Sequence, residues 1–125
     1  MAPGREKRRS SGLIRVPFVR RCRIDLDDGT TRETFLVNVN ILGAFIADDD
    51  PPLLGRGVCC QFRVPGTENV VAVDGIVAWI NARQQHPVHS LPRGFGVEFR
   101  GISPQNREVL RGIVSDWMSR RRSSR

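Results

Sequence analysis

The chain has 125 residues, a net charge of +7 and three cysteines. This length fits one domain around one core, and no run of ~18 apolar residues is present to cross a membrane. The odd cysteine count, with Cys59 and Cys60 adjacent, argues against a disulfide framework. We therefore expect reduced thiols and a cytoplasmic protein.

The positive charge is concentrated at the two ends of the sequence. Residues 1–9 carry a net charge of +3 and residues 120–125 a net charge of +4, which leaves residues 10–119 neutral. Short basic segments of this kind are typical of solvated tails. We therefore predict a basic N-terminal tail (1–9), one domain (10–119) and a basic C-terminal tail (120–125).

Alternating apolar residues, separated by turn signals, predict a chain of short antiparallel strands. Pro17 indicates an edge or a bulge in the first strand, and Asp28-Gly29 is a strong hairpin signal. Gly75 indicates a bend in the fifth strand. The six predicted strands are residues 13–26, 31–39, 44–48, 58–64, 70–82 and 95–99.

The stretch FLVNVNILGAFI (35–46) reads as a buried strand with two asparagines at its centre. Because side chains alternate along a strand, Phe35, Val37, Val39 and Ile41 are predicted to face the core, and Asn38 and Asn40 to share the other face. This pair of amides fits either a polar outer face or a ligand site. The aromatic residues predicted to lie in the core are Phe35, Phe45, Phe62, Phe95, Phe99 and Trp79.

The end of the sequence changes from the period of a strand to that of a helix. Ser103 is a good N-cap, and Pro104 suits the first helical position. Apolar residues then recur at helical spacing, which predicts an amphipathic helix over about residues 104–119. Six strands with short connections and one closing helix predict a mainly β fold, a small six-stranded antiparallel β-barrel with a C-terminal α-helix.

The residues that catalysis requires are not combined in any recognisable pattern. His86 and His89 share one loop without an acidic or cysteine partner at ligand spacing, which is weak for zinc. Asp48 to Asp50 are followed by prolines and lack the spaced partners of a calcium loop. No phosphate-binding glycine motif is present. We predict a protein that is not an enzyme, with no metal site and no cofactor.

Three segments together resemble the PilZ domain, a bacterial module that senses cyclic di-GMP. The segment NVNILG (38–43) resembles the family motif Asp/Asn-x-Ser-x-x-Gly. GIVAWI (75–80) resembles the Gly-x-Val-x-Trp signature, and GFGVEFRGIS (94–103) resembles the last strand and the entry to the helix. The resemblance extends over about residues 8–118 and implies the PilZ-type barrel and cyclic di-GMP as a possible ligand.

The resemblance also implies which residues would bind that ligand. The family has an Arg-x-x-x-Arg motif before strand one; Arg15 stands at the second arginine, with Ser11 four residues earlier. An arginine fork can bind guanine O6 and N7 or stack on the base. Asn38 and Gly43 match the second motif, and Asn40 replaces its serine. The candidate ligand-binding residues are Arg8, Arg9, Arg15, Asn38, Asn40 and Gly43.

These departures lead to the functional prediction. Without the motif's first arginine, whose place is taken by Ser11, and with Asn40 at the serine position, cyclic di-GMP binding is expected to be weak or lost. We predict a regulatory or adaptor protein in motility or surface-behaviour signalling that acts through an unidentified protein partner. One alternative is a functional cyclic di-GMP receptor that uses Arg15, Arg9 and Asn38. The other is a small barrel that binds nucleic acid through its basic tails.

Overall fold

The computed structural model describes residues 15–82 and 91–123, with side chains for all of these except Arg122 and Ser123. The predicted tail 1–9, with Arg8 and Arg9, and the loop with His86 and His89 lie outside the described residues. The described elements are β1 (Val16–Leu26), β2 (Thr31–Val39), β3 (Gly43–Ala47), β4 (Gly57–Arg63), β5 (Val70–Asn81), β6 (Gly94–Phe99) and α1 (Pro104–Ser123).

The six strands close into an antiparallel barrel in the order β1-β2-β3-β6-β5-β4. Each pairing joins antiparallel neighbours, and β4 pairs with β1 to complete the ring. The Asp27–Thr30 turn connects β1 to β2, as its Asp-Gly sequence predicts. The predicted fold, a mainly β six-stranded barrel followed by one helix, is therefore confirmed.

The core fills the barrel with aliphatic and aromatic side chains that alternate along the strands. One inward row runs across the barrel through successive cross-strand partners, and its residues are all nearly inaccessible to solvent. The members of this row are Val16, Val39, Ala44, Val97 and Val77. Because side chains alternate between the two faces of a sheet, the neighbouring row of cross-strand partners points away from the barrel interior.

The predicted inward face of β2 is wrong in part. Leu36 is fully buried, whereas Phe35 is 47% exposed and Val37 is only partly buried. The pairing of β2 with β3 shifts between Leu36 and Asn38, so the strand does not alternate regularly through this point. Because of this bulge, Leu36 and Val39 both face the core although they are three residues apart. In a regular strand, residues three apart face opposite sides of the sheet.

Helix α1 packs on the barrel through the face that its sequence predicts. The backbone N–H of Asn106 donates to the Ser103 hydroxyl at 3.1 Å, so Ser103 is the N-cap. Leu110 and Val114 belong to the same buried cluster as the barrel residues.

The helix extends past the predicted residue 119 to Ser123. Arg120 forms an ion pair with Asp116 one turn earlier, and the Arg121 guanidinium lies 5.2 Å from the centre of the Trp117 ring. Both contacts favour one more helical turn. Within residues 15–82 and 91–123, no helix has both the length and the apolar composition that a membrane span needs.

Candidate functional site

An outward-facing row of residues crosses five of the six strands next to the inward row described above. Neighbours in this row are direct cross-strand partners, and only β4 contributes no member. The row contains Pro17 on β1, Asn38 on β2, Phe45 on β3, Gly96 on β6 and Trp79 on β5. It combines an amide, a glycine and two aromatic side chains, of which Phe45 is fully buried beside the Trp79 ring.

Asn38 provides an unsatisfied hydrogen-bond acceptor in this row. Its Oδ1 atom is buried and accepts no hydrogen bond from any described residue. A buried amide oxygen without a partner costs roughly 1–3 kcal/mol, so native proteins rarely leave one in this state. A ligand that donates an N–H to this oxygen would remove that cost.

Arg15 stands directly before β1 and lies against the start of β3. Its Nη2 atom is 3.1 Å from the position that a β-carbon on Gly43 would occupy, and the same β-carbon would lie 2.2 Å from the Val97 carbonyl oxygen. Only glycine allows this approach. Burial lowers the pKa of the Arg15 guanidinium from its ordinary value, although arginine stays protonated at neutral pH.

No carboxylate among residues 15–82 and 91–123 pairs with that guanidinium. Every ion pair in this part of the chain uses another cation, for example Arg32 with Asp48 at 2.5 Å and Arg56 with Asp27 at 2.5 Å. A partly desolvated guanidinium without a counter-charge is suited to a ligand with carbonyl or phosphate oxygens. Arg15, Asn38 and Gly43 therefore form a candidate ligand site at this end of β1–β3.

Asn40 does not share the outer face of Asn38, so that expectation is corrected. Strand β2 ends at Val39, and Asn40 begins the turn to β3 with only 4% of its surface exposed. Its Oδ1 atom accepts hydrogen bonds from the backbone N–H groups of Leu42 at 2.8 Å and Gly43 at 2.9 Å. The side chain therefore stabilises the turn that places Gly43 under Arg15.

Trp79 lies on the outer face rather than in the core, which corrects another expectation. It is 37% exposed, and its ring centre is 5.1 Å from that of Phe45. A β-carbon on Gly96 would lie 2.0 Å from the indole nitrogen, so the ring lies flat against that glycine. Phe45, Phe62, Phe95 and Phe99 are buried, as predicted.

The sequence reasoning missed that Phe45 and Trp79 lie in the same cross-strand row as Asn38. The register of three separate pairings brings them together, and no local period contains that information. The available signal was GFG at 94–96, because glycines at alternate strand positions leave space for large rings on the neighbouring strands.

A model of the PilZ domain matches residues 5–116. The chain belongs to the PilZ domain family. PilZ domains are regulatory or adaptor modules in a family that binds cyclic di-GMP. No curated protein matches the chain.

Solved PilZ structures share the fold at low sequence identity. The inhibitor of motility MotI/DgrA of Bacillus subtilis is 18% identical with a TM-score of 0.66, over 90% of this chain and 51% of MotI. The PilZ domain of Escherichia coli YcgR with c-di-GMP is 17% identical with a TM-score of 0.65, over 89% of this chain and 93% of that one.

A third solved structure is the PilZ domain of CeSA from a cellulose-synthesizing bacterium, 14% identical with a TM-score of 0.59. That match covers 84% of this chain and 98% of the CeSA chain. At these identities the likeness shows the fold alone. The chain spans about half the length of MotI.

Proposed function

We propose that this PilZ protein is a non-enzymatic regulator that binds cyclic di-GMP on the outer face of β1–β3. The observation that carries the proposal is the partly buried guanidinium of Arg15 against Gly43, together with the buried Oδ1 atom of Asn38. Neither group has a partner of opposite character among residues 15–82 and 91–123. Both groups are positioned before any ligand arrives, so binding adds interactions at little cost in ordering.

The two groups match complementary parts of a guanine nucleotide. Guanine O6 and N7 accept a bidentate pair from arginine, and the same fork fits a phosphate. The guanine amino group can donate to the amide oxygen of Asn38. The exposed part of Trp79 on the same row offers a flat surface for a base.

Asn40 does not obstruct this site, because its side chain is turned toward the backbone of Leu42 and Gly43. The first arginine of the family motif, whose place is taken by Ser11, is the remaining difference. Without an arginine at position 11, we propose an affinity weaker by roughly ten- to a hundredfold than a site with two bidentate contacts, since each is worth ~1–3 kcal/mol.

Calorimetric titration with cyclic di-GMP tests this proposal. We expect binding that weakens roughly ten- to a hundredfold in Arg15→Ala and in Asn38→Ala. Arg63→Ala is the matched control, because it removes an exposed arginine from β4, the strand outside the row. Arg8→Ala and Arg9→Ala then identify any second arginine. The absence of binding, or equal affinity in Arg15→Ala, would reject the receptor and leave a PilZ fold that acts through protein contacts alone.

The process we propose is motility or a related surface behaviour, because the structural neighbour MotI is an inhibitor of motility. Deletion of the gene in its source bacterium is expected to change swimming, and Arg15→Ala on the chromosome should have the same effect. If Arg15→Ala behaves as wild type while the deletion changes swimming, the protein acts without the nucleotide.

A further inference from the structure

A second surface of the barrel, on β1, β4 and β5, carries an unbalanced charge. An open cleft of about 550 Å³ lies on the outer face there, with four arginines and one carboxylate, Glu33, among its described lining residues. We call it the arginine cleft and define it by its basic and exposed apolar residues. These are Arg20, Arg21, Arg23, Arg63, Val19 and Val70.

The arginines of the cleft are poorly neutralised by their own protein. Arg20 and Arg63 form no ion pair with the residues that the structure describes. Arg21 approaches Glu33 only to 3.9 Å, with both side chains more than two-thirds exposed, a geometry worth little. Arg23 is the exception, with Nε 3.1 Å from Asp25.

The strand register brings like charges together. Cys22 of β1 pairs with Phe62 of β4, and Arg21 and Arg63 are the next residues along the two strands. Both side chains line the same cleft. Like charges in adjacent positions of a sheet are destabilising, so this arrangement costs stability that an anionic partner would recover.

The same surface exposes apolar groups between the charges. Val19 is 68% exposed, Val70 59% and Phe35 47%. Phe35 lies beside the cleft, with the Arg21 guanidinium 5.9 Å from its ring centre, a weak cation–π contact at an exposed position. Arginine and aromatic residues around exposed apolar groups are the composition of protein interfaces.

We propose that the arginine cleft, with Phe35 at its side, docks an acidic segment of a partner protein that also carries apolar side chains. Because the cleft has four arginines and one glutamate, Glu33, its net positive charge selects carboxylates. The exposed valines and Phe35 contact the apolar residues that lie between the carboxylates of the partner segment. Charged and apolar side chains of the cleft therefore hold the partner. This docking does not depend on nucleotide binding.

Selection of random short displayed peptides on the wild-type protein tests the proposal. We expect the enriched peptides to combine Asp or Glu with apolar residues. Their affinity should fall about tenfold or more in Arg63→Glu and in Arg21→Glu. Phe35→Ser should also weaken them. The matched control is Arg100→Glu, the same charge reversal on an exposed arginine after β6, opposite β1 in the barrel.

Two results would overturn the docking site. One is enrichment of peptides without an acidic bias, or of acidic peptides that bind Arg63→Glu as well as wild type. The other is cleft-dependent binding to phosphatidylglycerol vesicles or to single-stranded RNA without any cleft-dependent peptide. Cyclic di-GMP titration of Arg63→Glu separates the nucleotide site from the docking site. Nucleotide affinity should be unchanged in this variant, whether or not it still binds the peptides.

Discussion

At the scale of single residues, the turn between β2 and β3 depends on the amide of Asn40. Its side-chain Oδ1 atom accepts hydrogen bonds from two backbone N–H groups. The backbone N–H of Asn40 donates a third hydrogen bond to the Gly43 carbonyl at 2.9 Å. These bonds fix the position of Gly43, against which the Arg15 guanidinium lies. Asn40 therefore supports the candidate site without facing a ligand.

Replacement of Asn40 by Ala should destabilise the fold. Two backbone N–H groups lose their acceptor in a nearly buried turn, which we expect to cost about 1–2 kcal/mol of the free energy of unfolding. Asn40→Asp keeps an acceptor at the same position and should lose less. Urea denaturation of the three proteins measures the difference. Equal stability of Asn40→Ala and wild type would show that the turn does not need the side chain.

The outcome at Asn38 and Asn40 shows which information the sequence contains about the site. Their spacing predicts a shared face only if β2 continues past Val39, and the chain instead turns there. The position of Gly43 in the family motif was informative, because the close approach of Val97 excludes a side chain. The missing information was the hydrogen bonding of the turn, which depends on the conformation of the residues after Asn40.

At the scale of elements, strand positions were predicted within three residues at each end, whereas the faces of β1 and β2 were less predictable. The bulge between Leu36 and Asn38 changes which side chains of β2 face inward, and a second irregularity lies between Pro17 and Arg20 of β1. The irregularity in β1 is indicated by Pro17 in the sequence. The bulge in β2 is not marked by the apolar sequence around Val37, because bulges depend on the partner strand.

The β1–β2 hairpin is joined to the loop before β4 mainly by Asp27, and Asp28 adds a longer ion pair to Arg56 at 3.5 Å. Asp27 accepts hydrogen bonds from Arg56 Nε at 2.7 Å and from the Gly57 N–H at 2.8 Å. These bonds lower the pKa of the Asp27 carboxyl from its ordinary value of 3.8. Since the folded pKa lies below the unfolded value, the stabilisation is present above about pH 4 and is lost as pH falls through the folded pKa.

Comparison of wild type with Asp27→Asn across pH isolates this contribution. Above about pH 5 the wild type should have the higher Tm, because only the carboxylate forms the charge-assisted bonds to Arg56 and Gly57. Below the folded pKa the two Tm curves should converge. Thermal unfolding by circular dichroism measures both curves. A Tm difference that stays constant down to about pH 2 would mean that ionisation of Asp27 does not stabilise this junction.

At the scale of the whole molecule, α1 and the barrel share one core. Leu110 of the helix is fully buried, and it belongs to the same cluster as residues on every strand of the barrel. Asn106 adds a bond from its side-chain amide to the Ala72 carbonyl oxygen at 3.0 Å. We therefore expect the helix and the barrel to unfold as one cooperative unit.

Leu110→Ala tests this coupling, and it should lower the free energy of unfolding by about 2–5 kcal/mol because it leaves a cavity between α1 and the barrel. In a Trp117→Phe background, Trp79 fluorescence reports the barrel alone and ellipticity at the helix band reports α1. Both signals should shift to the same lower denaturant midpoint in Leu110→Ala. Ser115→Ala, an exposed position on the same helix, is the matched control and should leave both midpoints nearly unchanged. Loss of the helix signal before the Trp79 signal would mean that α1 is a separately melting element, and the barrel core would then be complete without Leu110.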